Sequence, residues 1–239
     1  MPNQFDILIK NAKLRGSESL TDIGIAGGKI VSVEKGLGGE AGVTVDAEAN
    51  LVTESFVNPH LHLCKVYTLQ MMDEDALTAY QGEGMGKAMN AIELAARVKE
   101  KYDKAWIIEN ARKAVTQAAR FGNTHIRAFA DVDSKARLEG VKALIRAREE
   151  FKGIVEIQVV AFAQDGWVRE RGTDKLMREA MELGADVVGG IPWIEYTEAN
   201  TQQHVKEIFD LAMEFNKDVS MLVDDEGDAG LRSLEMMAV

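Results

Sequence analysis

The chain has 239 residues, 46% of them hydrophobic, enough for a real core in one large domain or two small ones. Its 39 acidic against 28 basic residues give a net charge of -11 with no basic cluster, which argues against nucleic acid and anionic membrane surfaces as partners. The single cysteine, Cys64, cannot close an internal disulfide, no stretch is apolar for long enough to span a bilayer, and Met1-Pro2-Asn3-Gln4-Phe5-Asp6 lacks the charged start and apolar core of a signal peptide, so a soluble, reducing, cytoplasmic setting is expected.

The first fifty or so residues read as short strands, over 6–10, 21–26 and 29–34. Gly27-Gly28, between two alternating runs, predicts a hairpin, and residues 1–52 are expected to form a small β unit. Next comes Ser55-Phe56-Val57-Asn58-Pro59-His60-Leu61-His62-Leu63, which is strand-like. Side chains two apart in a strand share a face, so His60 and His62 would present two imidazoles to one point, with Pro59, Leu61 and Leu63 on the packed side. Neutral imidazole ligates zinc and also suits iron, cobalt or nickel. A chance pairing is the alternative. The stretch from Asp73 to Gly86, with Gly82, Gly84 and Gly86, reads as a lid.

From there strand and helix alternate. Helices ending at Phe121, Phe151, Leu183 and Phe215 meet Gly122, Gly153, Gly184 and Asn216, residues that tolerate positive φ where a helix C-cap requires it. Strands are expected over 124–129, 154–162, 186–191 and 218–223. With the His-x-His strand these make five βα steps over 53–239, which predicts a parallel sheet or barrel. Parallel barrels carry their chemistry at the C-terminal ends of the strands. His60 and His62 fall at such an end, as do Asp131 and Asp133, Gln164 and Asp165, Trp193 and Glu195, and Asp224 and Asp225. Any one of these alone is ordinary loop polarity, whereas all of them at one rim point to a site.

Four motifs now carry a resemblance: Phe56-Val57-Asn58-Pro59-His60-Leu61-His62-Leu63, Thr124-His125-Ile126-Arg127, Val159-Val160-Ala161-Phe162-Ala163-Gln164-Asp165-Gly166, and Leu183-Gly184-Ala185-Asp186-Val187-Val188-Gly189-Gly190-Ile191-Pro192. With them the chain resembles the amidohydrolase superfamily, in its cytosine deaminase and N-isopropylammelide aminohydrolase branch. The resemblance implies a (β/α)₈ TIM-type barrel, here incomplete with about five βα units, and a small N-terminal portion of a β-sandwich. It implies a divalent metal, zinc or iron with cobalt as a further option, bound by His60 and His62 and activating a water toward an sp² carbon that bears an amino leaving group. Gln164 matches a glutamine that holds the heterocycle, and Trp193 is the second candidate for substrate binding. The family's fifth strand ends in a His-x-Asp-Glu run; the corresponding Leu222-Val223-Asp224-Asp225 has leucine in place of the histidine ligand. Asp224 and Asp225 remain as candidate catalytic acids, Asp225 standing where the glutamate carries the proton. Cys64 replaces an aspartate, as either a thiolate ligand or a buried thiol. Phe129 stands where a histidine is frequent.

Val239 falls early in the helix after the fifth strand, so a fragment of a longer polypeptide is expected, with the sixth- and eighth-strand ligands elsewhere. The expected function is a metal-dependent hydrolase of a non-peptide C–N bond in a cyclic amidine or similar heterocycle, acting as a homo-oligomer on a small molecule. The alternative is an inactive fragment, or a relative that binds a heterocycle or assembles with partners without turnover. Smaller expectations concern single residues. His125 lies at the end of its strand away from the rim, His204 on a solvated helix face, Arg127 against Asp131 or Glu156, and Lys65 in a rim ion pair.

Overall fold

A computed structural model describes residues 4–71, 97–224 and 230–238. The chain divides into two compact units, Met1–Ser55 and Phe56–Val239. The expected lid over 73–86 lies outside the described residues.

The first unit is one mixed sheet. Strands β1 (Phe5–Leu14), β2 (Leu20–Ala26) and β3 (Lys29–Glu34) run antiparallel, while β4 (Ala41–Asp46) and β5 (Leu51–Val52) pair with β1 in parallel. The hairpin turns at Gly27 and Gly28, both at positive φ (59° and 73°), the backbone that a two-residue turn between twisted strands requires. β4 and β5 escape the sequence reading because their partner is distant in the chain and no tight turn announces them. Phe5, Leu8 and Leu37 form this unit's small core.

The second unit alternates strand and helix: β6 (Phe56–Leu61), α1 (Lys104–Arg120), β7 (Asn123–Asp131), α2 (Glu139–Glu150), β8 (Glu156–Ala163), α3 (Thr173–Glu182), β9 (Val187–Gly190), α4 (Glu198–Phe215), β10 (Asp218–Met221) and α5 (Ser233–Met237). The five strands lie in the order β10-β9-β8-β7-β6, every pair parallel, which is the sheet of a half-barrel. The expected cap residues are where they should be: Gly122, Gly153, Gly184 and Asn216 have φ of 81°, 81°, 102° and 51°. At the other ends Asp103 accepts the Ala105 N–H and Thr197 Oγ1 the Asn200 N–H (3.2 Å), closing donors that the first turns of α1 and α4 leave open. No helix among the described residues is long and apolar enough to cross a membrane.

Two apolar layers follow from strand alternation. Ile126, Ala128, Ala130, Ile157, Val159 and Ala161 point outward and are buried against Ile107, Ala111, Val115, Val141, Leu144 and Met177 of the helices. Phe129, Val160, Phe162, Val187, Ile191 and Ile194 form a second cluster, on which Trp193 and Leu222 pack. Burying each of these large side chains contributes about 1.5–3 kcal/mol, so the helix layer dominates the unit's stability.

Several strand limits differ from expectation. β8 starts at Glu156 because the N–H groups of Ile154 and Val155 both donate to Phe151 O (2.8 and 3.0 Å), which leaves Ile154 exposed in the turn. β9 and β10 stop at Gly190 and Met221, one and two residues early. In β6 the register against β7 slips between Asn58 and Leu61. Pro59 has no N–H for the ladder, and the slip at its position leaves it exposed, while Leu61 and Leu63 do pack on the core.

Candidate functional site

The C-terminal ends of β6, β7 and β8 bring together His60, His62, Lys65, Asp131, Asp133, Gln164 and Asp165. His60 is the penultimate residue of β6, and His62 opens a short 3-10 turn over Leu63–Lys65. Their rings lie 5.0 Å apart between centroids, edge to face, and both rest on Phe129, at 4.2 and 5.3 Å. The phenylalanine that stands in place of a frequent family histidine is thus the floor under the pair.

Polar contacts radiate from Asp131, which is fully buried at the end of β7. His62 Nδ1 lies 3.3 Å from its Oδ1, and Lys65 Nζ donates to its Oδ2 at 3.1 Å. Lys65 Nζ also donates to Gln164 Oε1 at 2.8 Å. Behind Asp131, Lys99, itself buried, reaches Asp131 Oδ2 at 3.4 Å, Asp133 Oδ2 at 2.9 Å and Asp165 Oδ1 at 2.6 Å. Two ammonium groups therefore serve three carboxylates at adjacent strand ends.

This arrangement decides the charge states. Burial alone would push the Asp131 carboxyl up, but Lys65 and Lys99, with the His62 hydrogen bond, hold it well below the usual carboxylate range. Lys99 would lose its proton more readily through burial, yet the three aspartates more than offset this and raise it. Asp165 is pushed up by burial, against the pull of Lys99. Burial lowers His62, outweighing Asp131, so this ring is neutral at physiological pH and has a lone pair to offer. Cys64 is buried and pushed up to about 12, chiefly by burial; its Sγ accepts the Asp131 N–H at 3.3 Å. Of the two readings, its burial and its contact with the Asp131 N–H favour the buried thiol.

The other expected residues stand apart from this cluster. Trp193, half-buried, packs with Leu222 on the Phe129 and Phe162 side of the sheet. Asp224 accepts from Ser233 N (2.9 Å), Ser233 Oγ (2.5 Å) and Leu234 N (3.1 Å), so its carboxylate caps α5. Asp225 lies outside the described residues. Among the described residues no group of three His, Cys, Asp or Glu is disposed to hold a metal ion. His60 and His62 remain the candidate metal ligands, side by side at the rim, and their neighbour Asp131 is already committed to Lys65 and Lys99.

Two expectations need correction. Arg127 reaches neither Asp131 nor Glu156: its Nε donates to Gln158 Oε1 at 2.7 Å, because parallel pairing sets Gln158 directly across from it. His204 is no surface residue but completely buried, its Nδ1 2.8 Å from Glu195 Oε1. Its helix turns that face onto the end of β9, where Gly190 makes room: a Cβ there would come within 2.2 Å of His204 Nε2. We expect Gly190→Ala to cost about 1–3 kcal/mol by overpacking, read as a lowered melting temperature. Lys99 went unnoticed in the sequence because a lysine in an amphipathic stretch has no local mark of burial.

The amidohydrolase family profile matches residues 43–238 of this chain. Among curated proteins the chain is 31% identical over 238 residues to the N-isopropylammelide isopropyl amidohydrolase of Pseudomonas sp. (strain ADP), covering 100% of this chain and 58% of that one. Among solved structures it superposes on 5-methylcytosine deaminase from Klebsiella pneumoniae, liganded with 5-fluorocytosine, with TM-score 0.84 and 28% identity, over 97% of this chain and 54% of that one. N-isopropylammelide isopropylaminohydrolase from Burkholderia multivorans matches with TM-score 0.63 and 24% identity, over 97% of this chain and 56% of that one, and speaks for the fold alone. The chain thus spans less than two thirds of the length of these relatives.

Proposed function

The chain belongs to the amidohydrolase family, and on that premise we propose that the protein is a metal-dependent hydrolase of a non-peptide C–N bond in a small cyclic amidine or related heterocycle. The observation that carries this reading is the pair of imidazoles, 5.0 Å apart, at the C-terminal rim of a parallel half-barrel. The relatives' names, a deaminase and an aminohydrolase of nitrogen heterocycles, support the substrate class.

A divalent metal, zinc or iron in first place, would be held by His60 and His62 with further ligands outside the described residues, and would supply a Lewis acid that lowers the pKa of a water. The chain's own groups have separate tasks. Lys65 orients Gln164: an ammonium has only donors, so it takes the amide oxygen and leaves the Gln164 NH₂ as a donor for a ring nitrogen or carbonyl of the substrate. Trp193, on the apolar cluster, offers a flat wall for a planar ring. Of the two acids after β10, Asp224 is occupied in capping α5, so Asp225 is the stronger candidate for the proton transfer.

A second reading, binding without turnover, draws on Leu222, which packs into the apolar cluster where the family's fifth-strand histidine would ligate. Metal content separates the two. We expect elemental analysis of the purified protein to show stoichiometric zinc, iron or cobalt that is lost in the His60→Ala/His62→Ala double variant, and aminated heterocycles to be hydrolysed only by the metal-loaded wild type. Metal absent from wild type, or retained in the double variant, sinks the hydrolase reading.

A further inference from the structure

Both carboxylate oxygens of Asp131 face a partner, and the partners are of two kinds. On one oxygen sits the ring nitrogen of His62, at 3.3 Å; on the other sit the ammonium groups of Lys65 and Lys99, at 3.1 and 3.4 Å. The backbone N–H of Asp131 is held as well, by Cys64 Sγ. The carboxylate is buried, ends a strand paired along its length with β8, and cannot rotate without breaking an ion pair. A carboxylate of this kind accepts and does not donate, so the His62 nitrogen facing it carries the proton. With Nδ1 engaged in this way, Nε2 is the ring nitrogen left to face a metal.

We propose that Asp131 is the positioning residue of the histidine pair: it fixes His62 as the Nδ1–H tautomer and locks the ring's rotation, so that Nε2 is the atom presented to the metal. The proposal rests on the metal reading above. It follows from a general feature of metal sites, in which the second ring nitrogen of a ligating histidine is held by a carboxylate that sets tautomer and orientation. Lys65 and Lys99 serve this arrangement by holding the other carboxylate oxygen of Asp131 in place. The proposal concerns His62 alone and makes no assignment for His60.

The test combines two measurements on the protein and two variants. Nitrogen-15 histidine labelling is tractable with only four histidines in the sequence, and reports each ring's tautomer in wild type without any substitution. Zinc affinity, measured by competition with a chelator, is compared between wild type, Asp131→Asn and Asp133→Asn. The last removes a carboxylate from the same lysine without touching His62, and serves as the control for lost charge and stability. The expected results are an Nδ1–H tautomer for metal-free wild-type His62, a mixture of tautomers in Asp131→Asn with zinc bound about 10–100-fold more weakly, and near wild-type zinc affinity in Asp133→Asn. Equal zinc affinity in wild type and Asp131→Asn, or a wild-type His62 protonated on Nε2, overturns the positioning role and leaves the metal reading intact. A wild type that binds no zinc overturns the metal reading itself. If Asp131→Asn does not fold, the wild-type tautomer still decides.

Discussion

Lys99→Met is expected to destabilise the second unit by about 3–5 kcal/mol at neutral pH, read as a fall in the urea midpoint with an unchanged slope. Methionine keeps the length and packing of the aliphatic stem, so the loss isolates the charge. In the wild type one buried ammonium lies within 2.6–3.4 Å of Asp131, Asp133 and Asp165. Without it the strand ends of β7 and β8 hold three carboxylates with only Lys65 nearby, and an uncompensated buried charge costs far more than the pair contributes. The pH dependence carries a sign that pure packing would not. Asp131 is held below its usual 3.8, so its contribution is full above that value and is lost as the pH falls below it. Asp165 is pushed above 3.8 by burial, and so works the other way, costing stability as the pH rises through its folded value. Removing the ammonium moves both carboxyls up, and each can then escape its penalty by taking a proton. The gap between wild type and variant should therefore be widest near neutral pH and narrow as the pH falls toward 4 and below. A loss under about 1 kcal/mol, or a gap that stays constant with pH, would show that Lys99 is neutralised or hydrated rather than ion-paired.

The contrast between Lys99 and the histidine pair shows what local sequence carries. The spacing of His60 and His62 marked them as neighbours, and their rings do lie side by side, although the strand ends at Leu61 and His62 already belongs to the turn beyond it. The helix caps were as plain: Gly122, Gly153, Gly184 and Asn216 announce a left-handed residue at the junction, and each has one. These are constraints between residues a few positions apart. The parallel order of the five strands also follows from the repeated strand–helix grammar, since a crossover helix brings the next strand alongside the last.

What could not be read was pairing over distance. Lys99 finds Asp133 and Asp165 across 34 and 66 positions, and nothing in its neighbourhood marks it as buried. Arg127 meets Gln158 because of a β-sheet register that charge matching alone does not predict. His204 looked solvated beside Gln202 and Gln203, but a helix gives neighbouring residues different faces, and its own face turns toward Gly190. Pro59 broke the simple alternation of β6 through its missing N–H, a constraint visible in the sequence whose consequence, a slipped register, depends on the partner strand.

Glu195→Ala is the second large loss expected, again about 3–5 kcal/mol, and it should be felt first in the loop that carries Gln164. Glu195 follows the short turn after β9, yet its carboxylate is spent on the loop after β8: Oε1 accepts from Trp167 N (2.6 Å) and Val168 N (3.0 Å), and Oε2 from Arg169 N (2.7 Å). His204 Nδ1, at 2.8 Å from Oε1, closes the arrangement from α4. Burial would raise this carboxyl, but His204 and the three backbone N–H groups outweigh it and hold it below the usual value. Truncation leaves three backbone donors and one buried ring without a partner, each costing about 1–3 kcal/mol when water cannot replace the acceptor. Part of that cost is recovered where the loop reaches solvent, which sets the estimate. Glu195→Gln keeps one acceptor oxygen but turns an NH₂ toward a donor, so a smaller loss of about 1–3 kcal/mol is expected. Hydrogen exchange distinguishes a local role from a general one: in Glu195→Ala the amides of residues 167–169 should exchange through local opening, while those of β7 and β8 change only by the global loss in stability. Gln164 and Asp165 open this loop, so under the proposed function the same variant should raise KM before it lowers metal content. Unchanged exchange at residues 167–169 would mean that the carboxylate is dispensable to the loop.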